Sequence, residues 1–294
     1  MPQSEQRMHL LAEKFGDLLH KCQGRNATRA LYLFDLYMNH QHELQSYPTL
    51  GNGLVSVLAG FGYMSQAHYV FSNLSCREEI TWNSLIMGYA NHGDSHEAFT
   101  VYHKMVKDNL NPSIPTFLAL LKACIALKDL AKGCKLHDNM LILGLIDTDI
   151  FITGSLIDMY AKCGSVKRAH ELLIKLPVRD VVLWTALITG YIDYGYAKEA
   201  FLCFEQMENE GISCDVLTLV SILKACVILG SITRGQEIHA TVVNKGLERE
   251  PLIGNSLLDM YAKCGSLIAT QYVFNMLINR NVVSWTALIG GYVE

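Results

Sequence analysis

Cysteine and histidine are the residues of this sequence best suited to metal binding or redox chemistry. The chain of 294 residues contains nine cysteines and eleven histidines. The closest cysteines in sequence, Cys124 and Cys134, are ten residues apart and no C-x-x-C pair occurs, so the ligand spacing of a zinc site is absent. Cys163 and Cys264, like Cys124 and Cys226, occupy the same position in successive repeats. We therefore expect reduced, buried thiols that fill the space between helices, and no bound metal.

Catalytic motifs are missing from the rest of the chain. A zinc deaminase needs H-x-E and a distant C-x-x-C, and the sequence has neither. It also lacks the P-loop, the G-x-S-x-G turn and the H-E-x-x-H helix. His137 and His239 recur in the second helices of repeats and are interpreted as structural. The sequence predicts a protein without catalytic activity of its own and without a cofactor.

Internal repetition organises the elements that carry these residues. The segment SLIDMYAKCGS at 155–165 returns as SLLDMYAKCGS at 256–266, a spacing of 101 residues. A second block includes tryptophan each time, at Trp82, Trp184 and Trp285. The long period of 101 to 102 residues contains three unlike sub-repeats. Such a period is the sequence signature of a repeat architecture.

The starts of the repeated blocks predict the repeat boundaries. A segment of residues 1–11 comes first, and a degenerate first repeat follows it. The predicted repeats are 12–47, 48–78, 79–113, 114–149, 150–180, 181–215, 216–250, 251–281 and 282–294. The last of them opens at Val282 and stops inside a helix pair, which we interpret as a sign of a truncated product or an incomplete gene model.

Each repeat is predicted to form two helices. One apolar stripe with helical spacing consists of Trp184, Leu187, Ile188 and Tyr191, and a second consists of Ala200, Phe204 and Met207. Gly195 and Gly211 are expected to end these two helices. Neither helix can bury its stripe alone, so the fold class is predicted to be all-α, a right-handed α-solenoid of helix-turn-helix repeats. The longest apolar stretch, 216–230, is interrupted by Lys224 and is too short to span a bilayer, so no membrane is expected as a partner.

The repeats resemble a known family. Units of 31, 35 and 36 residues in rotation, with MYAKCGS, LLKAC and G-x-x-IHA (Gly235 to Ala240), are similar to the pentatricopeptide repeat family of land plants, specifically its PLS subclass. The resemblance covers about residues 12–294 and is weakest in the first repeat, where Asp35 replaces the expected histidine. It implies L-type repeats at 12–47, 114–149 and 216–250, S-type repeats at 48–78, 150–180 and 251–281, and P-type repeats at 79–113, 181–215 and 282–294.

The same resemblance implies a function. Members bind single-stranded RNA sequence-specifically, usually in mitochondria or chloroplasts, in support of RNA editing, splicing, cleavage or stabilisation. This chain would then act as an adaptor, with an editing deaminase or another processing factor supplied in trans or by missing sequence.

The resemblance also assigns base reading to the fifth and the last residue of each repeat, on the concave face. The implied readings are cytosine for Asn83 with Ser113, guanine for Thr185 with Asp215, and a pyrimidine for Asn255 with Asn281. The departures from this pattern are Asn52 with Glu78, Gly154 with Asp180, Leu118 with Asp149, Val220 with Glu250, and Thr286 without a partner. From the RNA 5′ end, the repeats from residue 79 onward suggest C, any base, an unclear base, G, any base, a pyrimidine and a purine.

Two further groups complete the implied RNA site. The apolar second residues that would sandwich the bases are Ile80, Phe151, Val182, Leu252 and Val283. Lys162 and Lys263 are candidates for phosphate contact because they share one register near the end of a first helix. A lysine stabilised by a helix C-terminus is the other explanation for them. The three tryptophans are expected in the core rather than stacked on bases.

Charge is the main argument against RNA binding. The chain has 24 basic and 28 acidic residues and a net charge of −4, whereas nucleic-acid-binding domains are often basic. The competing functions are a protein-binding scaffold of the tetratricopeptide kind and an inactive fragment. The first residues are acidic and carry neither a secretory signal nor a convincing transit peptide, so an organellar location rests on the resemblance.

Overall fold

Helices make up all the regular secondary structure of the residues that the computed structural model describes, which are 3–22, 26–44, 47–146 and 150–293. The all-α prediction is therefore confirmed. None of these helices is both long and apolar enough to cross a membrane.

The chain divides into two compact units, Met1–Ser155 and Leu156–Glu294. The first contains α1 (Gln3–Cys22), α2 (Ala27–Asn39), α3 (Gln41–Leu44), α4 (Pro48–Gly60), α5 (Met64–Ser72), α6 (Glu79–His92), α7 (Ser95–Lys107), α8 (Ile114–Leu127), α9 (Leu130–Ile142) and the first residues of α10 (Ile150–Lys162). Helix α1 begins well before residue 12, so helical structure extends into the predicted N-terminal segment.

The second compact unit contains the remainder of α10 and eight further helices. They are α11 (Val166–Lys175), α12 (Val181–Asp193), α13 (Ala197–Asn209), α14 (Val216–Leu229), α15 (Ile232–Asn244), α16 (Pro251–Lys263), α17 (Leu267–Met276) and α18 (Val282–Val293). From residue 48 to residue 281, each predicted repeat contains one first helix and one second helix.

First helices of adjacent repeats pack side by side within each compact unit. Helix α6 contacts both α4 and α8, and α14 contacts both α12 and α16. Each first helix also packs against its own second helix, as α6 does with α7 and α12 with α13. We call the surface made by the first helices of one compact unit the first-helix layer.

Glycines mark both the helix ends and the closest helix contacts. Gly195 and Gly211 have φ values of 80° and 75°, the left-handed geometry that was predicted for these helix ends. Gly190 has a different role, because a Cβ atom on it would lie 2.8 Å from the Cβ of Ala161. The absence of a side chain at Gly190 therefore lets two first helices approach closely.

Packing of the tryptophans agrees with the prediction at two positions and contradicts it at the third. Trp184 is fully buried, and Trp82 is 2% exposed. Trp285 is 50% exposed, so its predicted place in the core was wrong. The cause is local: α13 packs on α12, whereas no helix follows α18 among the described residues.

Candidate nucleic-acid interface

Two of the predicted base-reading pairs are in direct contact at the boundaries between repeats. Asn52 Nδ2 donates to Glu78 Oε1 at 3.0 Å, and Asn83 Nδ2 donates to Ser113 Oγ at 3.1 Å. These partners are 26 and 30 residues apart in sequence. The stacking of successive first helices therefore brings together side chains that the resemblance paired.

Threonine hydroxyls that the sequence analysis did not select take part in the same contacts. Thr81 Oγ1 donates to Asn52 Oδ1 at 2.8 Å, and Thr116 Oγ1 donates to Asn83 Oδ1 at 2.5 Å. Thr218 Oγ1 lies 2.6 Å from Thr185 Oγ1 and 2.7 Å from Asp215 Oδ1. Each of these threonines is the third residue of its repeat, a recurrence that the sequence already contained.

Several last residues also cap the helix that follows them. Asp180 Oδ1 accepts from Leu183 N at 2.9 Å, Asp215 Oδ1 from Thr218 N at 2.8 Å, and Asn281 Oδ1 from Ser284 N at 3.0 Å. Aspartate and asparagine are favoured at this position of any helix. The residue type at the end of a repeat is therefore explained in part by capping, and RNA is not needed to account for it.

Other predicted positions do not form polar pairs. Asn255 Oδ1 is buried without a hydrogen-bond partner, and Thr286 Oγ1 donates back to Val282 O at 2.8 Å within its own helix. Val220 is 8% exposed and therefore belongs to the core. Asp149, the expected partner of Leu118, lies outside the described residues.

The second residues of the repeats project into solvent. Their exposed fractions are 69% for Ile80, 76% for Phe151, 67% for Val182, 49% for Leu252 and 59% for Val283. Large apolar side chains are normally buried, so their recurrence at one exposed position needs a reason. This recurring exposure indicates a contact surface rather than part of the core.

A groove lies next to these side chains in the second compact unit. Its volume is about 710 Å³, and Leu252, Val283, Asn255 and Lys263 are among the residues that line it. Lys224 also lines the groove and was not selected as a phosphate contact. Its counterpart one period earlier is Lys122, and this recurrence could have drawn attention to it.

The two lysines predicted to contact phosphate each form an ion pair with an aspartate of the same helix. Lys162 Nζ lies 2.9 Å from Asp158 Oδ2, and Lys263 Nζ lies 2.9 Å from Asp259 Oδ2. Both are i,i+4 pairs with exposed lysines, which contribute little to stability. Either ammonium group can therefore be shared with a phosphate at small cost.

Buried cysteines and several histidines have packing roles in the described residues, whereas Cys76 is exposed, so the prediction of a buried thiol was wrong at that position. Burial raises the pKa of the Cys226 thiol to about 12, so the thiolate that binds metals is not formed at neutral pH. His239 Nδ1 is hydrogen-bonded to Tyr261 Oη at 2.9 Å, between two repeats. No group of three or more metal-ligating side chains occurs among the residues that were placed.

Family models match three stretches of the chain. The model described as the PPR repeat family matches residues 77–126 and 179–227, and the model described as the PPR repeat matches residues 152–181. These stretches contain the tryptophan blocks at Trp82 and Trp184 and the MYAKCGS block at 159–165.

Curated relatives cover most of the chain. A chloroplastic pentatricopeptide repeat-containing protein of Arabidopsis thaliana is 32% identical over 95% of this chain and 53% of its own length. A second chloroplastic one is 36% identical over 83% of this chain and 28% of its own length. A mitochondrial one is also 36% identical, over 83% of this chain and 24% of its own length. The chain thus spans between about a quarter and about a half of the length of these relatives.

Solved structures show the same fold. The crystal structure of the pentatricopeptide repeat protein PPR10 in complex with an 18-nucleotide psaJ RNA element has a TM-score of 0.73 and 16% identity, over 98% of this chain and 46% of that one. The structure of PPR10 from maize has a TM-score of 0.64 over 97% of this chain and 47% of that one. The predicted α-solenoid of helix pairs is confirmed. The repeats, the relatives and the fold agree with one another, and the chain belongs to the pentatricopeptide repeat family.

Proposed function

We propose that this chain binds single-stranded RNA sequence-specifically along its first-helix layer, with one base per repeat. The observation that carries the proposal is the recurrence of an exposed apolar second residue beside a polar boundary pair. At repeat 181–215, Val182 is 67% exposed while Thr185 and Asp215 both bond to Thr218. An apolar face for stacking next to a polar group for base edges is the chemistry of single-strand recognition.

The available hydrogen-bonding groups differ between repeats. Asp215 offers carboxylate oxygens, which only accept, and this suits the N–H donors on the Watson-Crick edge of guanine. Asn83 has two amide N–H donors, of which one donates to Ser113 Oγ at 3.1 Å and the other makes a long contact to Glu79 Oε1 at 3.4 Å. The second donor suits an acceptor atom of cytosine. These groups support the readings that the resemblance implies, which are G at repeat 181–215 and C at repeat 79–113.

The wider role belongs to the same proposal. The relatives named as chloroplastic or mitochondrial and the rotation of repeat lengths support an organellar adaptor of the PLS subclass, built from the L-, S- and P-type repeats given above. In this role the chain would present an RNA site to an editing deaminase or another processing factor acting in trans.

Selection from a random RNA pool tests the proposal. The purified chain is incubated with a randomised single-stranded pool at low and moderate salt, and the bound sequences are read. We expect enrichment of C and G three positions apart. Binding without enrichment would leave only a general electrostatic surface, and no binding would favour a protein-binding scaffold or an inactive fragment.

A designed change of specificity makes the test sharper. Replacing Thr185→Asn together with Asp215→Ser gives repeat 181–215 the pair found at repeat 79–113. We expect the preferred base at that position to change from G to C. The position read by Asn83 should keep its preference and serves as the internal control.

A further inference from the structure

At three boundaries the third residue of a repeat is hydrogen-bonded to the fifth residue of the repeat before it, so each of these contacts joins two repeats. We propose that Thr81, Thr116 and Thr218 are positioning residues that set which hydrogen-bonding groups the preceding fifth residue turns toward a base. The inference depends on the proposed RNA binding and adds a specificity-determining position to it. We call this contact the hydroxyl clasp.

The clasp at Thr116 fixes the orientation of the Asn83 amide. Thr116 Oγ1 accepts from Ser113 N at 3.0 Å, so its own proton is available for Asn83 Oδ1 at 2.5 Å. The amide oxygen of Asn83 is thereby engaged, and its nitrogen donates to Ser113 Oγ at 3.1 Å. The second N–H of Asn83 makes only a long, exposed contact to Glu79 Oε1, at 3.4 Å. Asn83 therefore has one N–H donor to offer to the acceptor atoms of a pyrimidine.

The clasp at Thr218 has the opposite polarity. Thr218 Oγ1 lies 2.7 Å from Asp215 Oδ1, and an ionised carboxylate can only accept, so the Thr218 hydroxyl donates there. The Thr218 hydroxyl must then accept from Thr185 Oγ1, which lies 2.6 Å away. The hydroxyl proton of Thr185 is therefore used inside the protein. Thr185 and Asp215 together present acceptors only, which pair with the N–H groups of guanine.

The residue types at the two positions vary together along the chain. Polar fifth residues are followed by a hydroxyl third residue at Asn52 with Thr81, Asn83 with Thr116, Thr185 with Thr218, and Asn255 with Ser284. Fifth residues without a polar side chain are followed by an aliphatic third residue at Leu118 with Ile152, Gly154 with Leu183, and Val220 with Ile253. The third residue thus matches its neighbour across the repeat boundary.

Helix capping does not explain this match. Asp180 and Asp215 are the same residue at the same place, and each caps the following helix through a backbone N–H. Yet the third residue is Leu183 after Asp180 and Thr218 after Asp215. What differs is the fifth residue on the other side of the boundary, which is Gly154 in the first case and Thr185 in the second.

Burial makes each clasp sensitive to substitution. Thr116 and Thr218 are completely buried, and Thr81 is 1% exposed. A buried hydroxyl without a partner is costly, and the branched side chain of threonine restricts its rotation. Ser284 lacks that branch, and its Oγ donates to Asn281 O at 2.8 Å instead, so the proposal covers the three threonines only.

Base preference of isosteric variants tests the clasp. Thr116→Val removes the hydroxyl and keeps the shape, Thr116→Ser keeps the hydroxyl, and Thr218→Val repeats the test at a second boundary. Binding is measured on RNAs that carry C and G three positions apart and on versions substituted at each of these bases. Thr100→Val, an exposed position on α7, is the matched control, and thermal melting verifies that each variant is folded.

We expect Thr116→Val to lose about tenfold in discrimination at the C position, within the range of one good polar base contact. Its discrimination at the G position should stay unchanged, and Thr218→Val should give the reverse pattern. Thr100→Val should resemble the parent chain, and Thr116→Ser, which keeps the hydroxyl without the restricting branch, should fall between the parent chain and Thr116→Val. A uniform loss of affinity at both positions, or unchanged discrimination in both valine variants, overturns the clasp while RNA binding stands. Failure of the parent chain to select any base overturns the proposed function and the clasp with it.

Discussion

In the proposed RNA-binding mode, single side chains at the repeat boundaries serve folding and recognition at once. Asp215 caps α14 with Oδ1, which accepts from Thr218 N and from Thr218 Oγ1. Its second oxygen is not needed for the cap. One carboxylate can therefore stabilise the start of a helix and still offer an acceptor to a base, so capping and base reading do not compete at this position.

Lys263 gives a residue-scale prediction about phosphate contact. Its ammonium group lies in the groove beside Asp259, and each phosphate contact on a single strand contributes a slope of about −0.7 to the dependence of log affinity on log salt. Lys263→Gln should therefore make this slope shallower by about 0.7. The measurement is RNA affinity over a salt series.

The control for this effect is a lysine on a second helix, outside the first-helix layer. Lys198 is exposed on the second helix α13, and Lys198→Gln should leave the slope as it is. Equal slopes for Lys263→Gln and the parent chain would remove Lys263 from the phosphate-contact set.

His239 gives a prediction about pH. Burial lowers its pKa from the ordinary value of 6.5, opposed by the nearby carboxylate of Glu248. The unfolded chain thus binds a proton more readily than the folded chain, and stability is lost as pH falls from 6.5 through the folded-state pKa. The His239→Gln variant has no imidazole at this position, so it lacks this pH-dependent contribution to stability. The stability advantage of the parent chain over the variant should therefore narrow between pH 7 and pH 5 in thermal unfolding.

The other histidine–tyrosine contacts make this comparison specific. His68 with Tyr89 and His170 with Tyr191 are also hydrogen-bonded, at 2.7 and 2.9 Å, and both remain in the variant. Subtracting the variant from the parent isolates His239. A gap that widens toward pH 5 would mean that the pKa of His239 is raised and not lowered by the fold.

At the scale of helices, close approach within the first-helix layer depends on small residues. At Gly190 an added Cβ would meet the Cβ of Ala161 at 2.8 Å and its Cα at 3.3 Å, and backbone cannot move aside easily. Overpacking of this kind costs about 1–3 kcal/mol. Gly190→Ala should lower the free energy of unfolding by that amount, as measured by denaturant unfolding.

Gly290 supplies the matched substitution on α18. A Cβ atom there meets nothing within 4 Å, so Gly290→Ala should stabilise the helix by up to about 1 kcal/mol, the usual difference in helix propensity. The same chemical change is thus expected to have opposite signs at the two sites. Destabilisation at both sites would mean that the helix contact at Gly190 is not the cause.

The helices could be predicted from the sequence where their position and ends depend on residues close together in the chain. The stripe through Trp184 and the glycine end at Gly195 need only neighbouring residues, and both predictions are confirmed. The exposure of Trp285 depends on what packs on α18, and the repeated sequence pattern around this tryptophan does not predict that. The clasp at Thr218 was missed for a similar reason, because its partner Thr185 is 33 residues away.

At the scale of the whole chain, the net charge of −4 makes a large electrostatic contribution to RNA binding unexpected. The first helices from α4 onward carry few basic residues, and these are Lys122, Lys162, Lys224 and Lys263. Each lysine adds only one phosphate contact at most. If RNA binds as proposed, base contacts must supply a larger share of the affinity, and the proposed recognition depends mainly on the boundary pairs and the exposed second residues.

Stacking of repeats predicts the effect of adding a helix to α18. Where repeat 150–180 meets repeat 181–215, Arg179 Nε donates to Glu210 Oε2 at 2.9 Å and Trp184 Nε1 donates to the same oxygen at 3.3 Å. Arg280 and Trp285 repeat these positions, so a copy of residues 194–215 placed after Glu294 would supply a carboxylate equivalent to that of Glu210 and the apolar face of α13. We expect Trp285 to become buried, with a blue shift of tryptophan emission and a gain of about 1 kcal/mol or more, equivalent to about 2–4 °C in Tm per kcal/mol.

The control for this extension keeps its length and removes its apolar face. In the control, the copies of Phe204 and Met207 are both replaced by glutamine, because these two side chains are buried where α13 packs. Trp82 and Trp184 are already buried, so a change in emission reports on Trp285. Stability in a solenoid is a sum over repeats and their nearest-neighbour interfaces, and the matched extension alone should add an interface. Equal emission and equal Tm for both extensions would mean that the face of α18 does not accept the helix that covers α12.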